Sequence, residues 1–579
     1  MTTIKQVCVG VAIAGAVAGA GSAVGTAVAS AAPSASDSTS NAGPASPGPQ
    51  SQAASRSHAA RSPGAAAVKA QSAATRTSAR PAASATAAAR AAKATASVPL
   101  AATSVPAPPR RALIPVLPLS PTPAVPVAPA SAVTTSTSAA NLRTRANAAA
   151  AAALLSSPPP TPTHVLLIGT DGTNLDKILA DPYYATGGFK TIMDQGITSA
   201  TSIVGHTTIS GPSWTTILTG VWDTKSGVIN NLFNPKPYDS WPTVINQLEY
   251  SYGNYVDTSV IADWQYINDI GAAGGWKADN NTFVPFTNSW AATDAQVASD
   301  TVGLIHSTVV GSSSFIFSYQ VQVDEAGHAY GGGSPEYAQA VTNVSNNIDD
   351  IMTEVNQWNA LHPTEEWTVI VTTDHGHQQS KGFGHGFQSP NETSSFVIFD
   401  QAGDDTNDGK QNLGYSNTDI TPTIVSLFGI TPLRSDFDGV PLTNKNSSNV
   451  KPTDLVQALN DAIDMYGYPN IGDDLALGTR TIFASIPYFL DGFVTDITAQ
   501  LQGIVDKNIF LISALAGVAK ALVQITGDIG VAATQVVARV VAHLTGSGTI
   551  APTDPPLPPP AAGTPSPAQL LLLPAAAVA

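Results

Sequence analysis

Six side chains suited to holding metal ions recur in short glycine-containing stretches of this chain: Asp171 in IGTDG, Asp324 and His328 in DEAGH, Asp374 and His375 in TTDHGH, and His385 in GHG. One such acid or imidazole alone reads as a turn residue or a satisfied core group. Three carboxylates and three imidazoles, placed at the ends of apolar runs or on Gly-rich loops, suit two divalent cations of the zinc type, which take carboxylate oxygen and neutral imidazole nitrogen. A short loop between Asp324 and His328 lets both reach one ion. Adjacent Asp374 and His375 point apart on extended chain and can serve two ions, bridging them.

Such groups need a rigid frame. HVLLIGTDG from His164 is a short apolar run ending in Asp and Gly, as expected of a buried parallel strand with a functional group at its carboxyl end. WTVIVTTDHG at 367–376 repeats the pattern, SSSFIFSYQVQVDEAGH reads as a strand ending in acid and histidine, and SSFVIFD as a fourth strand. Between them, Ser334 can cap a helix begun by Pro335, with Tyr337, Val341, Val344, Ile348, Ile351 and Val355 at helical spacing. Strands alternating with helices predict an α/β domain over 161–450, a mainly parallel sheet sandwiched by helices. Residues 451–550 read as a helical C-terminal region of amphipathic helices, with interfacial membrane attachment the lesser reading. Its longest uncharged stretch, Asn508 to Ala519, is 12 residues, short for a bilayer span.

The flanks have a different texture. Residues 1–31, with Lys5, a Gly- and Ala-rich apolar run and Ala29-Ser30-Ala31, have the three parts of a secretory signal peptide. The expected location is therefore secreted or envelope-associated, with no transmembrane span in the mature protein. Cys8, the only cysteine, lies in that leader, so chemistry falls to oxygen and nitrogen groups. Residues 32–160 are rich in Ala, Ser, Pro and Thr, without the apolar content to offset ordering entropy, and read as a disordered basic linker. Eleven Arg and Lys stand there against Asp37, a net of +10, which leaves −26 beyond Pro160. That asymmetry allows the linker to contact an anionic cell surface or wall, and the acidic body argues against nucleic-acid binding as the main role. Residues 551–579 read as a disordered Pro-rich tail.

The pieces IGTDG, SGPSWTTILTGVWDTKSGVINN, DEAGH, TTDHGH and GHG, in that order, resemble the alkaline phosphatase superfamily, and within it the bacterial type I phosphodiesterase/nucleotide pyrophosphatase branch. The resemblance covers about 164 to 445. It implies a metal-dependent phosphoric ester hydrolase whose nucleophile is Ser210, two residues before Pro212 at the start of a helix. It further implies one cation held by Asp171, Asp374, His375 and Ser210, a second by Asp324, His328 and His385, and Asn231 holding a phosphoryl oxygen. A small phosphoester, including a nucleotide, is the implied substrate. Ser-Gly-Pro-Ser-Trp departs from relatives that carry Thr as nucleophile, so Thr207 and Thr208 are rival nucleophiles. His206 and His377 fall outside the matched ligand set, with a supporting or solvent-facing place expected for both. Trp214 where sulfatases carry Arg, and His375 after Asp374, favour phosphoryl chemistry over a sulfatase. The matched pieces hold no Arg and Lys225 reads as an exposed loop residue, which favours diesters over monoesters. A surface-binding or adhesion protein with an inert hydrolase domain is the alternative of another class.

Overall fold

A computed structural model describes residues 161–181, 184, 186–382, 384–430, 436–446, 450–451, 454–509, 511–547, 557 and 559. The leader and linker expectations, and nearly all of the tail, lie outside the described residues.

Nine strands form one sheet: β1 His164–Thr170, β2 Ile197–Ser202, β3 Val256–Ala262, β4 Asn280–Phe283, β5 Ser313–Gln320, β6 Trp367–Thr372, β7 Ser394–Asp400, β8 Lys410–Asn412 and β9 Val450–Lys451. Their order is β4-β3-β5-β1-β6-β7-β2-β8-β9. β4, β3, β5, β1 and β6 run parallel, β7 runs antiparallel to both β6 and β2, and β9 runs against β8. β1 lies inside the sheet between β5 and β6 with every residue buried, which explains its unbroken apolar run: a parallel strand is covered by helices on both faces.

The principal helices are α1 Gly188–Gln195, α2 Ser210–Thr219, α3 Val244–Tyr252, α4 Gln265–Gly271, α5 Trp290–His306, α6 Gln322–Tyr330, α7 Pro335–Leu361, α8 Ile420–Leu427, α9 Leu455–Tyr466, α10 Ile471–Val505 and α11 Ile512–Leu544. One sheet face packs on α2, α3, α4 and α8, the other on α1, α5, α7 and α9. α7 begins as its sequence dictates, with the Ser334 hydroxyl accepting from Tyr337 N–H at 3.1 Å, and buries Tyr337, Val341, Val344, Ile348, Ile351 and Val355.

Asp324 and His328 do not sit on a loop at a strand end. β5 stops at Gln320, Val321 adopts helical backbone angles, and both residues lie on α6. Spacing of i,i+4 stacks them one turn apart, with His328 Nε2 3.2 Å from Asp324 Oδ2.

α10 and α11 form a long antiparallel hairpin. Among the described residues, α11 is the one helix long and apolar enough to cross a membrane by length and composition alone. Lys520, Asp528 and Arg539 divide the helix into shorter uncharged stretches without making it polar. Leu515, Val518, Leu522, Ile525, Ile529 and Val536 of α11 are exposed.

Candidate active site

α2 carries the hydroxyl-rich segment, and all ten of its residues are buried. A hydroxyl buried without a partner costs free energy, and here the helix backbone supplies partners. Thr215 donates to Gly211 O at 2.7 Å, Thr216 to Pro212 O at 3.1 Å and Thr219 to Thr215 O at 2.6 Å. Pro212 falls in the first turn, where no intrahelical bond is lost. The helix starts at Ser210, whose Oγ lies 3.1 Å from His375 Nε2.

Two groups of side chains converge around it. The first is Asp171, Asp374 and His375, with ligand atoms within 4.8 Å of one another. Asp171 follows β1, and its Oδ2 accepts from Trp214 Nε1 at 2.8 Å and from the Tyr319 hydroxyl, while Oδ1 has no hydrogen-bond partner. Asp374 follows β6, and its Oδ1 accepts from Gly172 N–H at 3.1 Å, while Oδ2 has none. These two orphaned oxygens lie 3.8 and 3.2 Å from His375 Nε2. The His375 Nδ1 lies 3.0 Å from Gly376 O and must donate to that carbonyl, so in the neutral ring Nε2 offers its lone pair and accepts from Ser210. Asp374 and His375 thus face one group together, and the expectation that they diverge to bridge two ions fails because the chain bends after β6 instead of staying extended.

The second group is Asp324, His328, His377 and His385. His385 Nδ1 donates to Thr208 O at 2.6 Å, and its Nε2 meets His328 Nε2 at 3.0 Å. The His375 and His385 rings stack at 3.9 Å, which joins the two groups. His377 is fully buried, with Nε2 3.0 Å from Asp324 Oδ1, so it orients that carboxylate as a donor. His328 is the exposed member, so the site opens on its side.

The electrostatics ask for a cation. Burial, with Asp324 nearby, pushes Asp171 up to about 8, and burial together with Asp171 holds Asp374 well above the usual carboxylate range. Burial lowers His375 to about 4 and His385 well below its ordinary value, so both rings are neutral and able to ligate. Asp324 is opposed by burial, but His328 and His385 outweigh it and keep the carboxylate ionised, and Asp324 in turn raises His328 to about 9. Orphaned oxygens aimed together, with neutral imidazoles beside them, fit divalent cations.

Other residues singled out in the sequence fall elsewhere. Asn231 Oδ1 accepts from Gly211 N–H at 2.8 Å, which sets its side chain at the start of α2. The Thr208 hydroxyl donates to Phe387 O at 2.9 Å and accepts from Gly386 N–H at 2.8 Å, a committed framework group. Thr207 is buried and lines a small cavity with His206, Trp222 and Asp223. His206 stacks on Trp222 and bonds Asp223 at 2.8 Å. Lys225 is no exposed loop residue, since it pairs with Asp438 at 2.5 Å and donates to Asp436 O.

Trp214 and Tyr319 are the partners that sequence reading missed, because a buried aromatic has the pattern of core. Gly169 makes room for the indole: a Cβ there would lie 2.5 Å from the Trp214 ring. Replacing Trp214 by Phe keeps most of the ring and removes the donor to Asp171. Zinc affinity is expected to fall about 10- to 100-fold, with the fold retained. Zinc titration against a chromophoric chelator checks this, and an unchanged affinity would show that the indole only packs.

A mostly parallel sheet between helices, with candidate acid and imidazole ligands beyond the carboxyl ends of its central strands, gives the domain an alkaline phosphatase-like fold. The sequence of that domain is similar to a known family: residues 165–388 match the model of type I phosphodiesterase / nucleotide pyrophosphatase. The chain is 27% identical over 263 residues to GPI ethanolamine phosphate transferase 1 of Saccharomyces cerevisiae, an alignment covering 41% of this chain. The chain spans 27% of the length of that relative. Solved structures similar to it include a 2-O GAG sulfatase, at 13% identity and TM-score 0.37, covering 49% of this chain and 73% of that one. A second is a sulfatase from Bacteroides thetaiotaomicron VPI-5482, at 14% identity and TM-score 0.36, covering 54% and 76%.

Proposed function

We propose that this chain is a secreted, metal-dependent hydrolase of phosphodiesters, including nucleotide-like ones, that works through a phosphoseryl intermediate. The observation that carries this reading is the convergence of the Ser210 hydroxyl, His375 Nε2 and two orphaned carboxylate oxygens at the start of one buried helix. Two divalent cations of the zinc type, one within Asp171, Asp374, His375 and Ser210 and one within Asp324, His328 and His385, would supply Lewis-acid stabilisation of charge on oxygen.

The residues of the chain do the rest. Ser210 Oγ attacks phosphorus in line as its proton passes to solvent, the bond to the leaving alcohol breaks, and the alcohol departs with a proton from solvent. Water then attacks the phosphoseryl group, releasing the phosphomonoester and restoring Ser210. The start of α2 directs its dipole at the phosphoryl group, and Asn231, anchored by Gly211, contacts a non-bridging oxygen. His377 keeps Asp324 turned toward its neighbours.

A diester is favoured because a monoester brings one more anionic oxygen to be balanced. The cationic side chains of Lys225 and Arg480 are both committed to carboxylates, Asp438 and Asp223. The test is hydrolysis of a p-nitrophenyl phosphodiester, phosphomonoester and sulfate by the full chain with zinc supplied. The diester is expected to be cleaved fastest, with activity in the medium or envelope fraction of expressing cells. Sulfate cleavage above either phosphate ester would overturn the assignment, and activity confined to the cytosol would overturn the export.

A further inference from the structure

The α10–α11 hairpin lies outside the segment that carries the family match, yet it grips that segment at three points around the site. Thr481 of α10 is buried, and its hydroxyl donates to the carbonyl of Gly386, the residue after His385. Gly386 has φ of +106°, backbone that favours glycine, and a Cβ there would lie 2.7 Å from the Thr481 methyl. One residue earlier, Arg480 donates to Asp223 Oδ2 at 3.1 Å, and Asp223 Oδ1 is held by His206. One turn later, the Ala484 carbonyl accepts from Asn230 Nδ2 at 2.8 Å, and Gln535 of α11 accepts from the same nitrogen at 2.8 Å. Asn230 immediately precedes Asn231.

These contacts are directional polar bonds, reinforced by a small apolar cluster of Ile229, Ala538 and Ala542. The hairpin leaves much of its apolar surface exposed, so it is not held here by area alone. Hydrogen bonds fix orientation, and ligand-bearing loops need orientation held to a fraction of an ångström. Thr208 holds the His385 loop through His385 Nδ1 and Gly386 N–H, and Thr481 holds it through the Gly386 carbonyl.

We infer that the C-terminal hairpin is a working wall of the active site, with Thr481 positioning His385 for its cation and Gln535 positioning the Asn230–Asn231 segment. The inference rests on the hydrolytic reading above for what the wall serves. Its first test reads ion binding by the full chain, with zinc alone as the probe. Thr481→Val keeps the shape and removes the donor, Thr481→Ser keeps the donor, and Gln535→Leu touches neither ligand group.

Zinc competition is expected to show one of two ions bound about tenfold more weakly in Thr481→Val, with affinity recovered in Thr481→Ser. Gln535→Leu is expected to bind both ions as the wild type does and to lose several-fold in diester kcat/KM. Unaltered zinc binding in a folded Thr481→Val, or an equal loss in the Ser variant, would overturn the positioning role of Thr481. Undiminished kcat/KM in Gln535→Leu would overturn that of Gln535. Weaker zinc binding in Thr481→Val alongside a wild type that cleaves no ester supports the clamp and counts against the hydrolytic reading, so the two fail separately.

Discussion

Replacing Ser210 by Ala is expected to abolish diester hydrolysis, by on the order of 10⁴-fold or more, and to leave the fold in place. The hydroxyl makes one side-chain hydrogen bond, to His375, and does not cap its helix, whose N-cap is Ile209. Loss of a single hydrogen bond costs about 1 kcal/mol, so the melting temperature should move by a few degrees at most. The loss of rate has another origin, the absence of the oxygen that must bond to phosphorus. Rapid quenching of the wild type with a labelled diester should trap label on Ser210. Turnover near the wild-type rate in the Ala variant would move the nucleophile elsewhere. Thr208 would be a poor replacement, since its hydroxyl is held by Phe387 and Gly386.

Chelation is the second large effect. Stripping divalent cations is expected to stop turnover and to lower the melting temperature, and zinc should restore both. At a hundred times its dissociation constant a single bound ion stabilises the fold by about 2.7 kcal/mol. The affinity itself should rise with pH. Asp171 stands at about 8 and His328 at about 9 without an ion, so each must release a proton on binding below those values. His375 and His385, lowered by burial, release none. Each proton released is worth about tenfold in affinity per pH unit, so zinc should bind at least that much more tightly at pH 7 than at pH 6. Stability of the metal-free chain runs the other way. A carboxylate raised in the folded state binds more protons folded than unfolded, so the Asp171 contribution is present below pH 4 and is lost as pH rises through 8. Zinc titrations at pH 6, 7 and 8, with melting curves beside them, check both signs, and a flat affinity profile would contradict the protonation states assigned here.

The central strands and their terminal acids were legible because burial on both faces demands continuous apolar sequence, and an Asp-Gly ending breaks it visibly. Asp171 and Asp374 are such endings. DEAGH was harder: VQVDEAGH alternates like a strand, and only the turn at Val321 converts it to helix. His377 is buried against Asp324 two residues beyond a candidate ligand, and adjacency in sequence does not say whether an imidazole faces solvent or a carboxylate. Thr208 shows the same limit for hydroxyls, since its partners lie 178 and 179 residues away. The grip of Thr481 on Gly386 spans 95 residues between segments of different texture, and no periodicity announces it.

The place of β1 between β5 and β6 governs when this site can come into being. His164 pairs with Ser314 on one side and Trp367 on the other, so the first strand of the domain waits for partners about 150 and 200 residues later. Such distant pairings are slow to close, because the entropy of the intervening loop is lost before the contacts form. At ~5–20 residues per second, roughly 15 to 60 seconds separate the emergence of Asp171 from that of Thr481. A nascent chain therefore carries its first ligand long before any competent site exists, and the two ligand groups mature together, late, when the whole sheet and then the hairpin have closed.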